Sequence, residues 1–278
     1  MSATQSQIYA APFDAVAARY DDTFTSSSIG RAQRSAVWRR LERIFVRGDR
    51  ILEIGCGTGV DACFLANRGV HVVACDSSSQ MIEVAGRRVH EEWLEELVQP
   101  RLLAAEALSS LSPDESYDGA FSNFGALNCI GDLPQFAHNL ATRLKPGATA
   151  LLCWIGPFSL WEVVWHLGHG NRQKAFRRLH RDGVRAKIAD GAFVHVHYPT
   201  VRQIARTFAP HFALKSVRGI GVAIPPSYVE NWAQHHPKAL TMCEKADSLL
   251  GQLPGVRMLA DHILLRLQRT EQNEAGKQ

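Results

Sequence analysis

The sequence predicts a doubly wound α/β fold with a mostly parallel, seven-stranded sheet. Three observations indicate this fold: short apolar runs alternate with stretches of helical periodicity, a glycine-rich loop follows the first of these runs, and an acidic residue ends the next run. Strands that alternate with helices form parallel sheets with helices on both faces. Ligands are therefore expected at the carboxyl ends of the strands.

The composition is that of a globular protein. The chain has 278 residues, 46% of them hydrophobic and 21% charged, which allows a full core without disulfides. The net charge of +4 is too small to indicate nucleic acid. Six cysteines with no C-x-x-C pair predict reduced thiols and a cytoplasmic location. A polar N-terminus and the lack of a long apolar run predict neither a signal peptide nor a membrane span.

The first two predicted regions hold most of the sheet. Residues 1–47 are predicted to form an N-terminal helical lid with helices at 12–24 and 28–47, because Val37, Leu41 and Ile44 have helical spacing. Residues 48–154 are predicted to form a cofactor-binding α/β core. Its predicted strands are 50–54, 71–75, 101–104, 117–122 and 148–154, and its predicted helices are 58–68, 78–98 and 132–145.

The alternation of strands and helices stops after the fifth strand. Residues 155–197 are predicted to be a helical insertion, with a strand only at 194–196. Residues 198–270 are predicted to complete the α/β core, with helices at 200–208 and 237–250 and strands at 212–220 and 261–268. The polar residues 271–278 are predicted to be a disordered tail.

The glycine-rich loop carries the functional prediction. Gly55, Gly57 and Gly59 alternate after the strand 50–54, and glycine lets the backbone turn sharply and approach a ligand closely. Glu53 precedes the loop. Asp76, 23 residues after Glu53, ends the next strand, where a carboxylate can accept hydrogen bonds from ribose hydroxyls.

A dinucleotide-binding fold is the competing interpretation of this loop. Its fingerprint is G-x-G-x-x-G with a pyrophosphate on the following helix. Here the spacing is G-x-G-x-G, and the carboxylate of Glu53 stands beside the loop. A carboxylate suits an ammonium group better than a pyrophosphate. The loop therefore favours S-adenosyl-L-methionine, which carries an ammonium, a sulfonium and a ribose.

The chain resembles the class I S-adenosylmethionine-dependent methyltransferases of the small-molecule type, from about residue 12 to residue 268. Four segments carry the resemblance, in the order usual for the family: 53–59, 73–81, 116–123 and 144–148. The resemblance implies a Rossmann-like methyltransferase fold, S-adenosyl-L-methionine as the cofactor, and methyl transfer to a small-molecule acceptor.

The resemblance also implies which residues bind the cofactor. They are Tyr20, Arg34, Glu53, Gly55, Gly57, Gly59, Asp76, Ser77, Met81, Glu106 and Asn123. The glycines and Asn123 would line the methionine portion, with Glu53 supporting the loop and the ammonium group. Arg34 would pair with the cofactor carboxylate, and Tyr20 would cover the cofactor.

The adenine end departs from the family pattern. Asp76 would hold the ribose and Met81 would pack near the adenine. Residue 77, often apolar in the family, is Ser77, and Glu106 is the acid available after the third strand, with a register that is open by a residue or two. The adenine pocket is therefore the part that the resemblance specifies least.

Three residues of the insertion are candidates for catalysis. Glu162, His166 and His169 stand at i, i+4 and i+7, so a helix would present them on one face. Substrate-facing acid/base groups, a metal site and a solvated or capping role are the alternatives. We take the first as the catalytic prediction and expect no metal.

The insertion also carries a basic run. Its basic residues are Arg172, Lys174, Arg177, Arg178, Arg181, Arg185 and Lys187, opposed by Asp182. A charge run is typical of a solvated face, and an anion-binding lid is the alternative. Trp161 and Trp165 precede it and could form an apolar wall. Trp161, Trp165, Arg177 and Arg178 are therefore the predicted substrate-binding residues.

The expected reaction is an in-line displacement at the sulfonium methyl, for which the protein supplies proximity and orientation. A small-molecule acceptor, with an anionic one left open, is favoured over nucleic acid, because residues 122–126 lack an N/D-P-P-Y motif. The alternatives are an RNA methyltransferase and a non-catalytic S-adenosylmethionine-binding protein. The sequence does not specify the acceptor, its atom or the oligomeric state.

Overall fold

The computed structural model describes residues 11–180 and 182–271. Its main sheet has seven strands in the order β3-β2-β1-β4-β5-β9-β8, and β9 runs antiparallel to both neighbours while the β1 to β5 pairings are parallel. The strands are β1 Arg50–Ile54, β2 His71–Asp76, β3 Val98–Leu102, β4 Tyr117–Ser122, β5 Leu144–Ile155, β6 Val184–Ala189, β7 Ala192–Val196, β8 Phe212–Ile220 and β9 His262–Arg269. The predicted mostly parallel, seven-stranded sheet is confirmed.

The α-helices pack against both faces of this sheet. They are α1 Ala17–Tyr20, α2 Ser28–Ile44, α3 Val60–Ala66, α4 Ser79–Glu91, α5 Leu133–Arg143, α6 Leu160–Gly168, α7 Arg172–Ala175, α8 Val201–Phe208, α9 Glu230–His235 and α10 Pro237–Leu250. Short 3-10 segments include Pro12–Val16, before α1, and Arg177–Leu179, after α7. None of the helices in the described part of the chain is long and apolar enough to cross a membrane.

The core has two layers because side chains alternate across each strand. Leu52 of β1 packs with residues of α5 and α8 on one face, whereas Ile51 packs with residues of α2, α3 and α4 on the other. The strands are therefore buried on both faces, as parallel sheets are.

The helix predicted at 78–98 is shorter than expected. The Ser78 hydroxyl accepts a hydrogen bond from the Met81 amide at 3.1 Å and starts α4, which ends at Glu91. Trp93 then takes a positive φ of 59°, and β3 begins at Val98, three residues before the predicted strand at 101–104. Leu94 and Val98 are buried apolar residues four positions apart, which is also the spacing of a helix. The sequence alone therefore did not show that the helix ends before them and that the chain turns into β3.

The prediction that residues 155–197 form a helical insertion is wrong for its second half. Residues 184–196 form an antiparallel hairpin of β6 and β7, a separate two-stranded sheet, after α6 and α7. Its turn is Asp190-Gly191, with Gly191 at a φ of 77°. An Asp-Gly pair between alternating apolar residues is a hairpin signal. Basic residues such as Arg185 and Lys187 stand between the apolar residues of β6, so the sequence analysis assigned them to a charge run and did not recognise the alternation.

Two other predictions fall wholly or partly outside the described residues. The predicted tail at 271–278 lies outside them apart from residue 271, and the predicted lid does so over residues 1–10. Within the described part, the helix predicted at 12–24 is a series of short helical segments, with α1 between a 3-10 turn and the π-helical Asp21–Thr25.

Candidate functional site

A cavity of about 510 Å³ lies at the carboxyl ends of β1, β2 and β4. The loop after β1 lines one side of it, and the N-terminal segment and the β6–β7 hairpin line the other. The hairpin also contacts the Pro12–Val16 segment. The volume is typical of a cofactor or ligand site, and the position is the one expected for a doubly wound sheet.

The glycine loop has a backbone that other residues would not adopt. Gly55, Gly57 and Gly59 have φ values of 70°, 53° and 78°, in the left-handed region that glycine favours. A Cβ at Gly55 would lie 2.2 Å from the Cβ of Ala126, so the loop packs tightly against the residues after β4. A Cβ at Gly57 would meet nothing within 4 Å. The loop thus leaves open space beside Gly57, which lines the cavity.

Asp76 joins the end of β2 to this loop. Its Oδ2 accepts a hydrogen bond from the Gly57 amide and its Oδ1 accepts one from the Ser78 amide, both at 2.9 Å. Burial raises the pKa of Asp76, and these amide hydrogen bonds act against that rise. Each carboxylate oxygen can accept a further hydrogen bond. The carboxylate of Asp76 could therefore accept a hydrogen bond from a ribose hydroxyl in the cavity.

Glu53 is a buried carboxyl group that the positive charge of Arg34 compensates only in part. Its side chain is 1% exposed, and Oε2 has no hydrogen-bond partner among the described residues. Burial, with the nearby negative charges of Asp61 and Asp76, raises its pKa well above the ordinary value. A ligand with a cationic group would offset both effects. The residue therefore fits the ammonium of S-adenosylmethionine, although it is not itself one of the residues that line the cavity.

A buried polar cluster centred on Asp61 lies beside the loop. Asp61, on α3, pairs with the Arg34 guanidinium at 2.6 Å and accepts a hydrogen bond from the Asn123 amide at 2.8 Å. The indole of Trp38 donates to it at 2.6 Å. Arg34 also lies over the Phe124 ring, 5.1 Å from its centroid. Arg34 thus has a carboxylate partner within the protein, and its pairing with a cofactor carboxylate stays a prediction.

Asp61 is a residue that the sequence analysis missed. It stands in the first turn of α3, two residues after Gly59. Acidic residues are common in the first turn of a helix because they interact favourably with its N-terminus. The sequence therefore offered no reason to expect that Asp61 contacts α2 and Asn123, the residue after β4. The cluster leaves two buried polar atoms, Arg34 Nε and Asn123 Oδ1, without a partner in the described part of the chain.

Two acids tie the N-terminal segment to the glycine loop and to the start of α4. The Ser78 hydroxyl donates to Asp14 at 2.5 Å, and the Thr58 hydroxyl donates to Asp21 at 2.6 Å. Tyr20 lies between these anchors and lines the cavity. Burial raises the pKa of its phenol, so the group stays protonated at neutral pH.

The expected adenine end is assembled in the same cavity. Ser77, Met81 and Glu106 all line it, with Leu103 and Ala105 between them. Met81 is 2% exposed, whereas Ser77 and Glu106 are exposed. The structure brings these residues together, and their contacts with an adenine remain predictions.

The structure does not fit the prediction that Glu162 faces a substrate as an acid or base. It is 3% exposed and accepts hydrogen bonds from Arg177 Nε at 2.7 Å and Arg178 Nε at 2.8 Å. Arg178 also pairs with Asp261 at 2.6 Å and donates to the Asp261 carbonyl at 3.0 Å. Both residues are therefore occupied within the protein. Glu162 and Arg178 form a buried anchor for the insertion, and Arg178 does not line the cavity.

The other candidates from α6 also lie outside the cavity lining. His166, His169, Trp161 and Trp165 are not among its lining residues. Trp165 instead packs against Tyr228, with ring centroids 5.2 Å apart, and the His169 ring lies 2.8 Å from the Trp165 carbonyl. The direction in which the α6 side chains point was therefore set by packing against neighbouring residues, which spacing along the sequence does not specify.

Apolar residues of the hairpin supply the wall that was expected from the tryptophans. Ala186, Ile188, Val194 and Val196 line the cavity, together with Tyr198. Arg177 lines it too, and its side chain is 42% exposed. The signal that could have found this wall is the alternation around Asp190-Gly191.

Comparison with known proteins identifies a methyltransferase domain at residues 51–147. A demethylmenaquinone methyltransferase of Clavibacter sepedonicus is 35% identical over 143 residues, covering 51% of this chain and 56% of the relative. A malonyl-[acyl-carrier protein] O-methyltransferase of Halorhodospira halophila is 29% identical over 206 residues, covering 70% and 67%. The chain thus spans little more than half the length of the first of these relatives.

A solved structure shows the same fold. The S-adenosylmethionine-dependent methyltransferase from Mesorhizobium loti superposes with a TM-score of 0.58 at 20% sequence identity. The alignment covers 84% of this chain and 98% of that one. At this identity the likeness supports the architecture of the sheet and its helices.

Proposed function

We propose that this chain, which belongs to the class I S-adenosylmethionine-dependent methyltransferase family, transfers a methyl group from S-adenosylmethionine to an anionic small-molecule acceptor. One observation carries the proposal. A single cavity is lined by the glycine loop and Asp76 on one side, and on the other by Tyr20 of the N-terminal segment and the apolar hairpin wall with Arg177. Cofactor and acceptor would therefore meet in one cavity.

The cofactor side fits S-adenosylmethionine, which supplies a methyl group activated by its sulfonium. The carboxylate of Glu53 has one oxygen without a partner within residues 11–180 and 182–271, and it is suited to a cationic ligand. Asp76 can accept hydrogen bonds from the ribose, and the open space at Gly57 allows the close approach of the methionine portion. Tyr20 lines the same cavity and would cover the bound cofactor.

Among the described residues, the cavity lining holds no strong base near the hairpin wall. Burial raises the pKa of Tyr198 and of Tyr20, and it raises the pKa of Cys129 to about 11. These groups hold their protons at neutral pH. Asp76 is engaged with backbone amides. An acceptor that ionises by itself, such as a carboxylate, a phenolate or an enolate, needs no base for the transfer.

Arg177 is suited to bind such an anion. Its Nε donates to Glu162, and its terminal nitrogens have no hydrogen-bond partner among the described residues. A guanidinium binds a carboxylate with two parallel hydrogen bonds and favours the ionised form of the acceptor. Arg177 would thus orient the acceptor and keep it charged.

The hairpin wall would hold the apolar body of the acceptor. Ile188, Val194 and Val196 remove water from that side of the cavity, which strengthens the interaction between Arg177 and an anion. Proximity and orientation are the main contributions that a protein makes to this displacement. An amphiphilic acceptor with an apolar body and one anionic group fits best.

The test is an assay of the purified protein with methyl-labelled S-adenosylmethionine and a panel of acceptors. The panel contains naphthoquinols and malonyl thioesters, which follow the names of the relatives, aromatic carboxylates, and neutral amide or methyl-ether analogues of each. We expect label to enter anionic acceptors and not their neutral analogues, with release of adenosylhomocysteine. Transfer to neutral analogues alone, or to RNA alone, would contradict the proposal.

A further inference from the structure

A second cavity of about 500 Å³ lies on the far strands of the sheet. It is formed by the second half of α2, strands β8 and β9, and the residues after α10. In the described part of the chain, no residue lines both this cavity and the one at the glycine loop. We call the second cavity the basic cleft.

The basic cleft is defined by its cations. Six basic side chains line it: Arg40, Arg43, Lys215, Arg218, Arg257 and Arg266. None of the six forms an ion pair with a carboxylate among the described residues. Arg178, by contrast, has two carboxylate partners. The cleft therefore concentrates positive charge that the protein itself leaves uncompensated.

These charges repel one another in the folded protein. Burial, followed by the positive charges of Arg40, Arg43 and Arg39, lowers the pKa of Arg218 to about 10. Asp247 acts in the opposite direction, but its carboxylate accepts hydrogen bonds from the backbone amides of residues 221–223. Bringing like charges together costs free energy of folding that a bound anion would return.

The geometry of the cleft is also that of a prepared site. Arg257 and Arg218 each donate to a backbone carbonyl at 3.2 Å, which fixes their direction. The Nε of Arg257 is buried and has no described partner. Leu151 and Leu264 add apolar surface between the cations. A ligand with a multiply charged anionic group and an apolar part would use both features.

We propose that the basic cleft binds the pyrophosphate group of a small organic ligand. Six cations around one space exceed what a single carboxylate can neutralise, whereas a pyrophosphate carries several negative charges and many acceptor oxygens. The cations line a cavity of small-molecule size. Proteins that bind nucleic acid typically carry their basic residues in an extended surface stripe instead. The site goes beyond the proposed methyl transfer and does not depend on it.

The test measures binding of inorganic pyrophosphate by calorimetry at physiological salt. The variant is Arg40→Ala/Arg43→Ala, which removes two cleft cations from a helix. The matched control is Arg202→Ala/Arg206→Ala, which removes the same charge from exposed positions on α8, outside the cleft. We expect the cleft variant to weaken binding roughly tenfold or more, the loss of about one charge-assisted contact, and the control to match wild type.

A second variant guards against damage to α2. Lys215→Ala/Arg266→Ala removes two cations from exposed positions of β8 and β9 and is expected to weaken pyrophosphate binding similarly. Circular dichroism and S-adenosylmethionine binding should be unchanged in all three variants. The proposal is overturned by an absence of saturable pyrophosphate binding in wild type, by an equal loss in the α8 control, or by an RNA oligonucleotide that binds the cleft and is not displaced by pyrophosphate.

Discussion

The two sides of the first cavity satisfy their buried charges in different ways. On the cofactor side, one carboxylate oxygen of Glu53 has no partner in the part of the chain that the structure describes, and the pKa values of Glu53 and Asp76 are raised. On the insertion side, Glu162 and Asp261 both pair with Arg178, and the pKa of Asp261 is lowered. The buried carboxylates of the insertion side are thus paired within the protein, whereas the buried carboxylate of Glu53 on the cofactor side is suited to a cationic ligand.

The largest effect that would break this comparison is on stability. Glu162→Ala removes the carboxylate that holds Arg177 and Arg178, so the buried Arg178 loses one of its two partners. Breaking a buried pair by removing one partner costs about 3–5 kcal/mol. We expect the free energy of unfolding in urea to fall by that amount. A loss below about 1 kcal/mol, the range of exposed pairs, would contradict the anchor.

The next effect concerns the cofactor side. Asp76→Ala removes the acceptor for the Gly57 and Ser78 amides and for the proposed ribose contact. We expect S-adenosylmethionine affinity to fall by roughly 1–3 kcal/mol, the usual cost of losing a hydrogen bond to a charged group. Calorimetry on folded variant protein checks this, with Asp76→Asn as an intermediate case. An unchanged dissociation constant would remove Asp76 from the cofactor site.

A smaller effect separates two adjacent arginines. Arg177 lines the cavity, so Arg177→Ala should raise the KM for the acceptor roughly tenfold, about one charge-assisted contact, without changing cofactor affinity. Arg172→Ala removes the same charge from the start of α7, outside the cavity lining, and serves as the control. Equal kinetic changes in both variants would show that only the net charge matters.

The smallest expected effect is at Glu53, where a substitution should raise the stability of the ligand-free protein, whereas Glu162→Ala should lower it. A carboxyl with a raised pKa binds more protons when folded than when unfolded, so its contribution to stability falls as pH rises toward that pKa. Glu53→Gln replaces the buried carboxylate by a neutral amide, so it should stabilise the ligand-free protein by about 1 kcal/mol near pH 7, with a smaller gain near pH 5. Thermal unfolding at both pH values measures it.

The same substitution should weaken S-adenosylmethionine binding, because the amide does not compensate an ammonium. Asp261 behaves oppositely: its lowered pKa gives stability that is present at neutral pH and is lost as pH falls below about 4. A Glu53→Gln protein that is less stable than wild type at pH 7 would show that Glu53 is already satisfied without a ligand.

Local patterns determined the cofactor side. Glycine spacing, the acid at the end of β2 and the apolar runs each act over a few residues, so the sequence predicted the loop, the sheet and the place of Asp76. The same local logic failed at residues 184–196, where the Asp190-Gly191 turn was masked by basic residues that read as a helix. Asp61 was missed because its partners come from α2 and from Asn123, the residue that follows β4.

The sequence by itself thus determined the fold, the glycine loop and the position of Asp76, since strand and helix periodicity and glycine's backbone freedom are properties of short segments. Tertiary structure alone decided the fate of side chains that are adjacent along the chain. Arg177 and Arg178 have the same chemistry, yet one lines the cavity and the other is buried between Glu162 and Asp261. The reason is physical: a buried charge requires a partner, and the partner Asp261 lies 83 residues away.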